Sequence, residues 1–268
     1  MRLTVNDITL SVELAGDGPA LLLLHGFTGS ASTWAPLVPE LSARRRTIAV
    51  DLIGHGRSDA PGGAERYRVE RCVDDLGALL DALEVEAADV LGYSMGGRVA
   101  LHLAAAMPRR VRSLVLESSS PGIADPAERA ARVAADSALA ESIERDGLRA
   151  FVARWEGLPL FASQARLPAE TRARLRDQRL RNDPRGLANS LRGMGAGRQA
   201  SLWNGLAALG MPALLIAGEL DEKYRAVARA MAGFMPRAHV RIIPEAGHAV
   251  HLEQPETFLG AVLQFLGE

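Results

Sequence analysis

Short runs rich in Val, Ile, Leu and Ala alternate along this chain with longer stretches whose apolar positions recur at helical spacing. The runs at residues 20–24, 47–50, 88–91, 111–116, 213–217 and 240–243 are predominantly apolar, as strands covered on both faces are, and predict a mostly parallel sheet. Helical spacing over 34–41, 69–83, 99–107, 225–234 and 255–266 supplies the covering layers, with Pro255 suited to a first helical turn. Ahead of these, residues 3–14 with Asn6-Asp7 at their centre predict an antiparallel hairpin on the sheet edge.

From about residue 119 to 210 the strand pattern vanishes, and Asp125-Pro126 and Asp183-Pro184 read as helix caps followed by first-turn prolines. This divides the chain into a core of 1–118 and 211–268, with 119–210 inserted after the sixth strand as a helical lid. Open α/β sheets bind ligands beyond their strand ends, so the lid is expected to close over that edge.

Composition narrows the functions available. A hydrophobic fraction of 48% allows a full core, and a net charge of −1 offers no footprint for nucleic acid or an anionic membrane, so a small-molecule partner is expected. The longest apolar run, 20–24, is too short to span a bilayer and Met1-Arg2-Leu3-Thr4-Val5 has no signal-peptide core, which predicts a cytoplasmic protein. Cys72 is the sole cysteine and reads as a buried helix residue, leaving no disulfide framework or Cys-based zinc site. Lys223 is the sole lysine, so the abundance of arginine is a compositional bias and no evidence of function by itself.

The candidate chemistry centres on Gly92-Tyr93-Ser94-Met95-Gly96-Gly97-Arg98, which follows a strand and opens a helix. Glycines around a serine permit a sharp strand-to-helix turn that exposes the hydroxyl and points the next N–H, that of Met95, at a developing oxyanion. His25-Gly26-Phe27-Thr28-Gly29, directly after a buried strand, has the form of the loop that gives a second such N–H, from Phe27. Arg98 lies one helical turn beyond Ser94 and on its side.

A reactive serine needs a histidine, and that histidine a carboxylate. His248 follows Gly247 in a loop after the last strand run, and Asp221 follows the run at 213–217. His251 is the rival histidine and Glu117, ending the sixth run, the rival acid. His25 and His55 precede glycines and read as turn-structuring, His102 as a packing residue, and His239 begins a strand. Asp51-Leu52-Ile53-Gly54-His55-Gly56-Arg57-Ser58-Asp59 is assigned no chemistry.

With the elbow, the His-Gly-Phe loop and the late Gly-His, the whole chain resembles the α/β-hydrolase superfamily. More narrowly, Gly92 to Arg98, Trp155-Glu156-Gly157-Leu158-Pro159-Leu160-Phe161, Ser190-Leu191-Arg192-Gly193-Met194-Gly195 and Gly218-Glu219-Leu220-Asp221-Glu222-Lys223-Tyr224 resemble the 2-succinyl-6-hydroxy-2,4-cyclohexadiene-1-carboxylate synthases of menaquinone biosynthesis. That resemblance implies an α/β-hydrolase fold with a mostly parallel eight-stranded sheet flanked by helices and a helical lid. It also implies a cofactor-independent, metal-free lyase that eliminates pyruvate from an enolpyruvyl tricarboxylate. Arg98, Arg132 and Arg179 match the family's anion-binding arginines, with Arg129 and Arg181 as neighbouring alternatives, and Tyr93 and Trp155 match pocket positions. The expected partner is a small anionic carboxylate, and the expected assembly a monomer or weak homo-oligomer. The residues alone leave a carboxylesterase or C–C bond hydrolase open, since acyl attack uses the same triad, and also a ligand-binding sensor on the same fold.

Overall fold

The computed structural model describes residues 1–267 and places strands at Arg2–Val5 (β1), Ile8–Ala15 (β2), Ala20–Leu24 (β3), Arg46–Val50 (β4), Ala88–Tyr93 (β5), Val111–Glu117 (β6), Ala213–Gly218 (β7) and Ala238–Ile243 (β8). They form one sheet in the order β1-β2-β4-β3-β5-β6-β7-β8. β1 and β2 pair antiparallel around Asn6, which takes a φ of 50° in the turn, and β2 pairs antiparallel with β4. All other pairings are parallel.

Strand alternation builds two cores. Leu22 and Leu24 of β3 pack on one face with Ile48, Val90 and Leu76, while Leu21 and Leu23 pack on the other with Trp34, Leu91 and Phe258. Both faces are therefore dry, which is why the predicted runs read as continuous rather than alternating. Cys72 is buried in the helix Val69–Ala82, where burial pushes its thiol up to about 12 and leaves it inert.

Two helix expectations shift. Residues 34–41 form a 3₁₀ turn at Ala31–Trp34 and a short helix at Val38–Leu41, because Pro36 withholds an N–H that a continuous helix would use. The helix after Ser94 starts at Met95 and runs to Ala106, a turn earlier than its periodicity suggests. Gly96 and Gly97 hide that first turn from propensity, yet they are what lets the helix sit close to the sheet.

Between β6 and β7 lie the helices Pro126–Asp146, Leu148–Glu156, Ala169–Leu180 and Pro184–Met194. Asp125 and Asp183 cap two of them, accepting from the N–H groups of Glu128 and Gly186. These helices own a small core of Ile143, Phe151, Val152, Leu187 and Leu191, onto which Phe27 and Trp155 pack. Among the described residues no helix is long and apolar enough to cross a membrane.

Candidate active site

Ser94 sits between β5 and the helix Met95–Ala106 with φ 51° and ψ −105°, a conformation that costs an L-residue of order 1–3 kcal/mol. The turn is held by Ser94 N–H donating to Glu117 O at 2.8 Å and by Arg98 N–H donating to Ser94 O at 3.1 Å. A Cβ at Gly92 would lie 2.5 Å from Gly96 O, and one at Gly96 would collide with the backbone of Leu24. The two glycines are thus the condition for strand and helix to meet so tightly.

His248 brings the elbow and the last two strands together. Its Nε2 lies 3.1 Å from Ser94 Oγ, and its Nδ1 donates to Asp221 Oδ2 at 2.7 Å. Asp221 also accepts Tyr224 N–H at 3.1 Å as the cap of the helix Glu222–Ala232, so its carboxylate is fixed from two sides. The rings of Tyr224 and Tyr93 stand 4.8 and 5.5 Å from that of His248, with Phe161 at 6.0 Å. Both His248 and Asp221 are buried. The rivals pair with each other instead: His251 Nδ1 lies 2.8 and 2.9 Å from the two carboxylate oxygens of Glu117, and among the described residues neither side chain hydrogen-bonds the Ser94 hydroxyl.

The loop after β3 is set by His25. Its Nε2 accepts Leu52 N–H at 3.0 Å, so Nδ1 carries the proton and donates to Gly26 O at 2.8 Å. Burial lowers the pKa of His25 and takes that of His55 down to about 3, so neither acts as a neutral-pH base. Asp51 accepts the N–H groups of Ala31 and Arg57, which ties the 51–59 loop to the segment after β3. Among the described residues Phe27 N–H donates no hydrogen bond, and Met95, as first helical residue, has an N–H that no helical carbonyl takes.

A cavity of about 350 Å³ opens above Ser94, walled by Phe27, Tyr93, Met95, Trp155 and His248 and charged only by Arg98, Arg132 and Asp136. Arg98 keeps some accessible surface because it faces this cavity, yet burial pushes its pKa down to about 10. Its Nη1 donates to Gln199 Oε1 at 3.2 Å and more weakly to Met194 O at 3.4 Å, and among the described residues no carboxylate pairs with it. Arg132, at the mouth, pairs with Asp136 at 2.8 Å. Burial raises the Asp136 pKa against the pull of Arg132, and among the described residues its Oδ2 has no hydrogen-bond partner.

Arg179 departs from its expectation. It is buried, but its guanidinium pairs with Glu156 at 3.0 Å and lies 5.6 Å over the Phe161 ring, and it does not line the cavity. A carboxylate within the same helical layer has already neutralised it. Arg129 and Arg181 are exposed and also stand outside the lining. Asp136 and Gln199 stand outside the residues expected from sequence, and Tyr224 enters there only within the Gly218 to Tyr224 resemblance. The spacing of Asp136 four residues after Arg132 was the one available signal; Gln199 gives none before the fold is known.

Residues 19–255 match the family model of the alpha/beta hydrolase fold. A putative 2-succinyl-6-hydroxy-2,4-cyclohexadiene-1-carboxylate synthase of Bacillus subtilis (strain 168) is 45% identical over 99% of this chain and 98% of its own. The synthase of that name from Serratia proteamaculans (strain 568) is 34% identical over 93% of this chain and 94% of its own. MenH from S. aureus, a solved structure, superposes with a TM-score of 0.91 at 35% identity, covering 96% of this chain and 97% of its own. An elbow serine, a late histidine and acid, and full-length likeness to these proteins agree: the chain belongs to the α/β-hydrolase fold family, on the branch of the 2-succinyl-6-hydroxy-2,4-cyclohexadiene-1-carboxylate synthases.

Proposed function

We propose that this chain eliminates pyruvate from 2-succinyl-5-enolpyruvyl-6-hydroxy-3-cyclohexene-1-carboxylate to give 2-succinyl-6-hydroxy-2,4-cyclohexadiene-1-carboxylate, the compound that its relatives' names give as their product. The observation that supports this reading over a general esterase is Arg98: a guanidinium inside the Ser94 cavity with neutral partners alone. A sequestered cation with no carboxylate paired directly to it is costly, and a substrate carboxylate offsets that cost. Arg132, half-exposed at the mouth beside Asp136, takes a second carboxylate.

In this reading Ser94 Oγ, its proton passed to His248 Nε2, removes the ring proton beside the succinyl ketone. Asp221 holds the His248 tautomer and balances the imidazolium. The N–H groups of Phe27 and Met95 receive the enolate oxygen, each donor worth about 2.7–4 kcal/mol in the transition state. The electron pair then moves through the ring, the C–O bond to the enolpyruvyl group breaks, His248 returns the proton to the leaving oxygen, and the enol tautomerises to pyruvate. No water or redox equivalent is consumed.

The test is pyruvate release from the purified substrate, with Ser94→Ala expected to remove it by a factor of about 10³ or more. Rapid hydrolysis of aryl esters without pyruvate release would put the esterase reading in its place. Tight binding without turnover of either would favour a sensor.

A further inference from the structure

We propose that Glu117 positions His248 against Ser94, acting through His251 as a second histidine–carboxylate pair beneath the triad. The inference assumes only that Ser94 and His248 react together, the common ground of the lyase and esterase readings.

Glu117 ends β6 and touches both halves of the site. Its backbone carbonyl accepts Ser94 N–H at 2.8 Å, while its carboxylate accepts His251 N–H at 3.0 Å and His251 Nδ1–H at 2.8 Å. One residue therefore joins the serine's backbone to the segment that carries the histidine. Both side chains of this pair are almost wholly buried, and a buried pair gains little net stability over apolar packing. Among the described residues His251 Nε2 has no hydrogen-bond partner, so the ring's polar contact runs through Nδ1.

The link from His251 to His248 is short and stiff. Two residues separate them, and the helical turn Val250–Glu253 begins between them. Glu253 grips the far side: its carboxylate accepts Gly247 N–H at 2.8 Å and, more weakly, Ala249 N–H at 3.4 Å. The two N–H groups flanking His248 are thus held by Glu253, and the segment as a whole is tied to β6 by Glu117. A histidine that must stay within hydrogen-bond reach of Ser94 Oγ needs support of this kind, since a shift of about 1 Å costs on the order of a hundredfold.

The experiment compares Glu117→Gln, His251→Ala and His251→Asn by the rate at which a fluorophosphonate labels Ser94, which requires no knowledge of the natural substrate, and by kcat and KM for pyruvate release. Asparagine presents its amide N–H about where His251 Nδ1 stands, but surrenders the ring contacts to Trp34, Tyr93 and Phe258. Glu117→Gln and His251→Ala should each label about tenfold more slowly, with kcat falling in parallel and KM held within about twofold. His251→Asn should melt lower yet label within about threefold of wild type. The proposal is overturned if Glu117→Gln labels at the wild-type rate, or if His251→Asn loses as much rate as His251→Ala, which would make the pair simple packing. Should Glu117→Gln fail to fold, the two His251 variants decide alone. Absence of pyruvate release with these labelling effects intact would count against the lyase reading and leave the positioning role standing.

Discussion

Arg98 and Arg179 are both sequestered arginines, and both were expected from sequence to meet the same anion, yet their surroundings differ in kind. Arg179 rests against Glu156 and over Phe161, its charge balanced within the helical insertion. Arg98 has an amide oxygen and a carbonyl, and burial, with the charge of Arg132 nearby, pushes its pKa down to about 10. A paired charge explains itself as structure, whereas one with neutral partners on a cavity wall asks for a ligand. The same side chain in the same protein therefore carries opposite implications, decided by one carboxylate.

The largest break in this comparison should come from Arg98→Met. Loss of a charge-assisted contact to a substrate carboxylate is expected to lower kcat/KM for pyruvate release about a hundredfold, some 2.7 kcal/mol. At the same time the unliganded variant should melt a few degrees higher, since the cost of sequestering the charge disappears. Melting curves with and without a succinyl-type dicarboxylate provide the check: the ligand should stabilise wild type and not the variant. In wild type that stabilisation should be full at neutral pH and fade as pH rises through about 10, where Arg98 loses the proton that the anion favours. A lower melting point for Arg98→Met would show that Gln199 and Met194 already satisfy the guanidinium.

Arg179→Met should move stability the other way. Removing one partner of a buried pair costs about 3–5 kcal/mol when the other is left alone, but Glu156 also holds Arg176 at 2.6 Å, so about 2 kcal/mol is expected from urea titration. Its kcat/KM should stay within about threefold of wild type. A hundredfold loss there would mean that Arg179 exchanges Glu156 for substrate on binding, and the contrast with Arg98 would dissolve.

How far the chain announced all this depends on whether the deciding partner is near in sequence. Ser94, Met95 and Arg98 share one elbow and one helical turn, so local spacing placed them. The caps Asp125 and Asp183 were readable for the same reason. By contrast, Arg179 and Glu156 lie on different helices, and Gln199 reaches Arg98 from far along the chain, contacts that no periodicity encodes. His251 and Glu117 were legible as rivals to His248 and Asp221, but their attachment to each other required β6 and the last loop to be brought together. Periodicity alone picks this helix up only at residue 99, because Gly96 answers to the backbone of β3 and Gly97 to Ser119 and Gly92 rather than to propensity, and it is the elbow motif that places the first turn.

Asp136 offers the finest test, because it alone offsets the cavity's positive charge. Its carboxyl is raised by burial, so between about pH 3.8 and its folded value the native state holds more protons than the unfolded chain, and stability falls as pH rises through that window. Asp136→Asn keeps an oxygen to accept Arg132 Nε–H but has no proton to lose, so its stability relative to wild type should improve as pH climbs from below that window to neutrality. Urea midpoints of the two proteins at a series of pH values isolate the effect, since every other titrating group is common to both. With Arg132 then unopposed, KM for an anionic substrate should fall by about twofold at neutral pH and revert in high salt. A variant whose KM instead rises would mean that Asp136 orients Arg132 rather than competing with the substrate for it, and the mouth of the cavity would then resemble the Arg179–Glu156 pair more than the open site at Arg98.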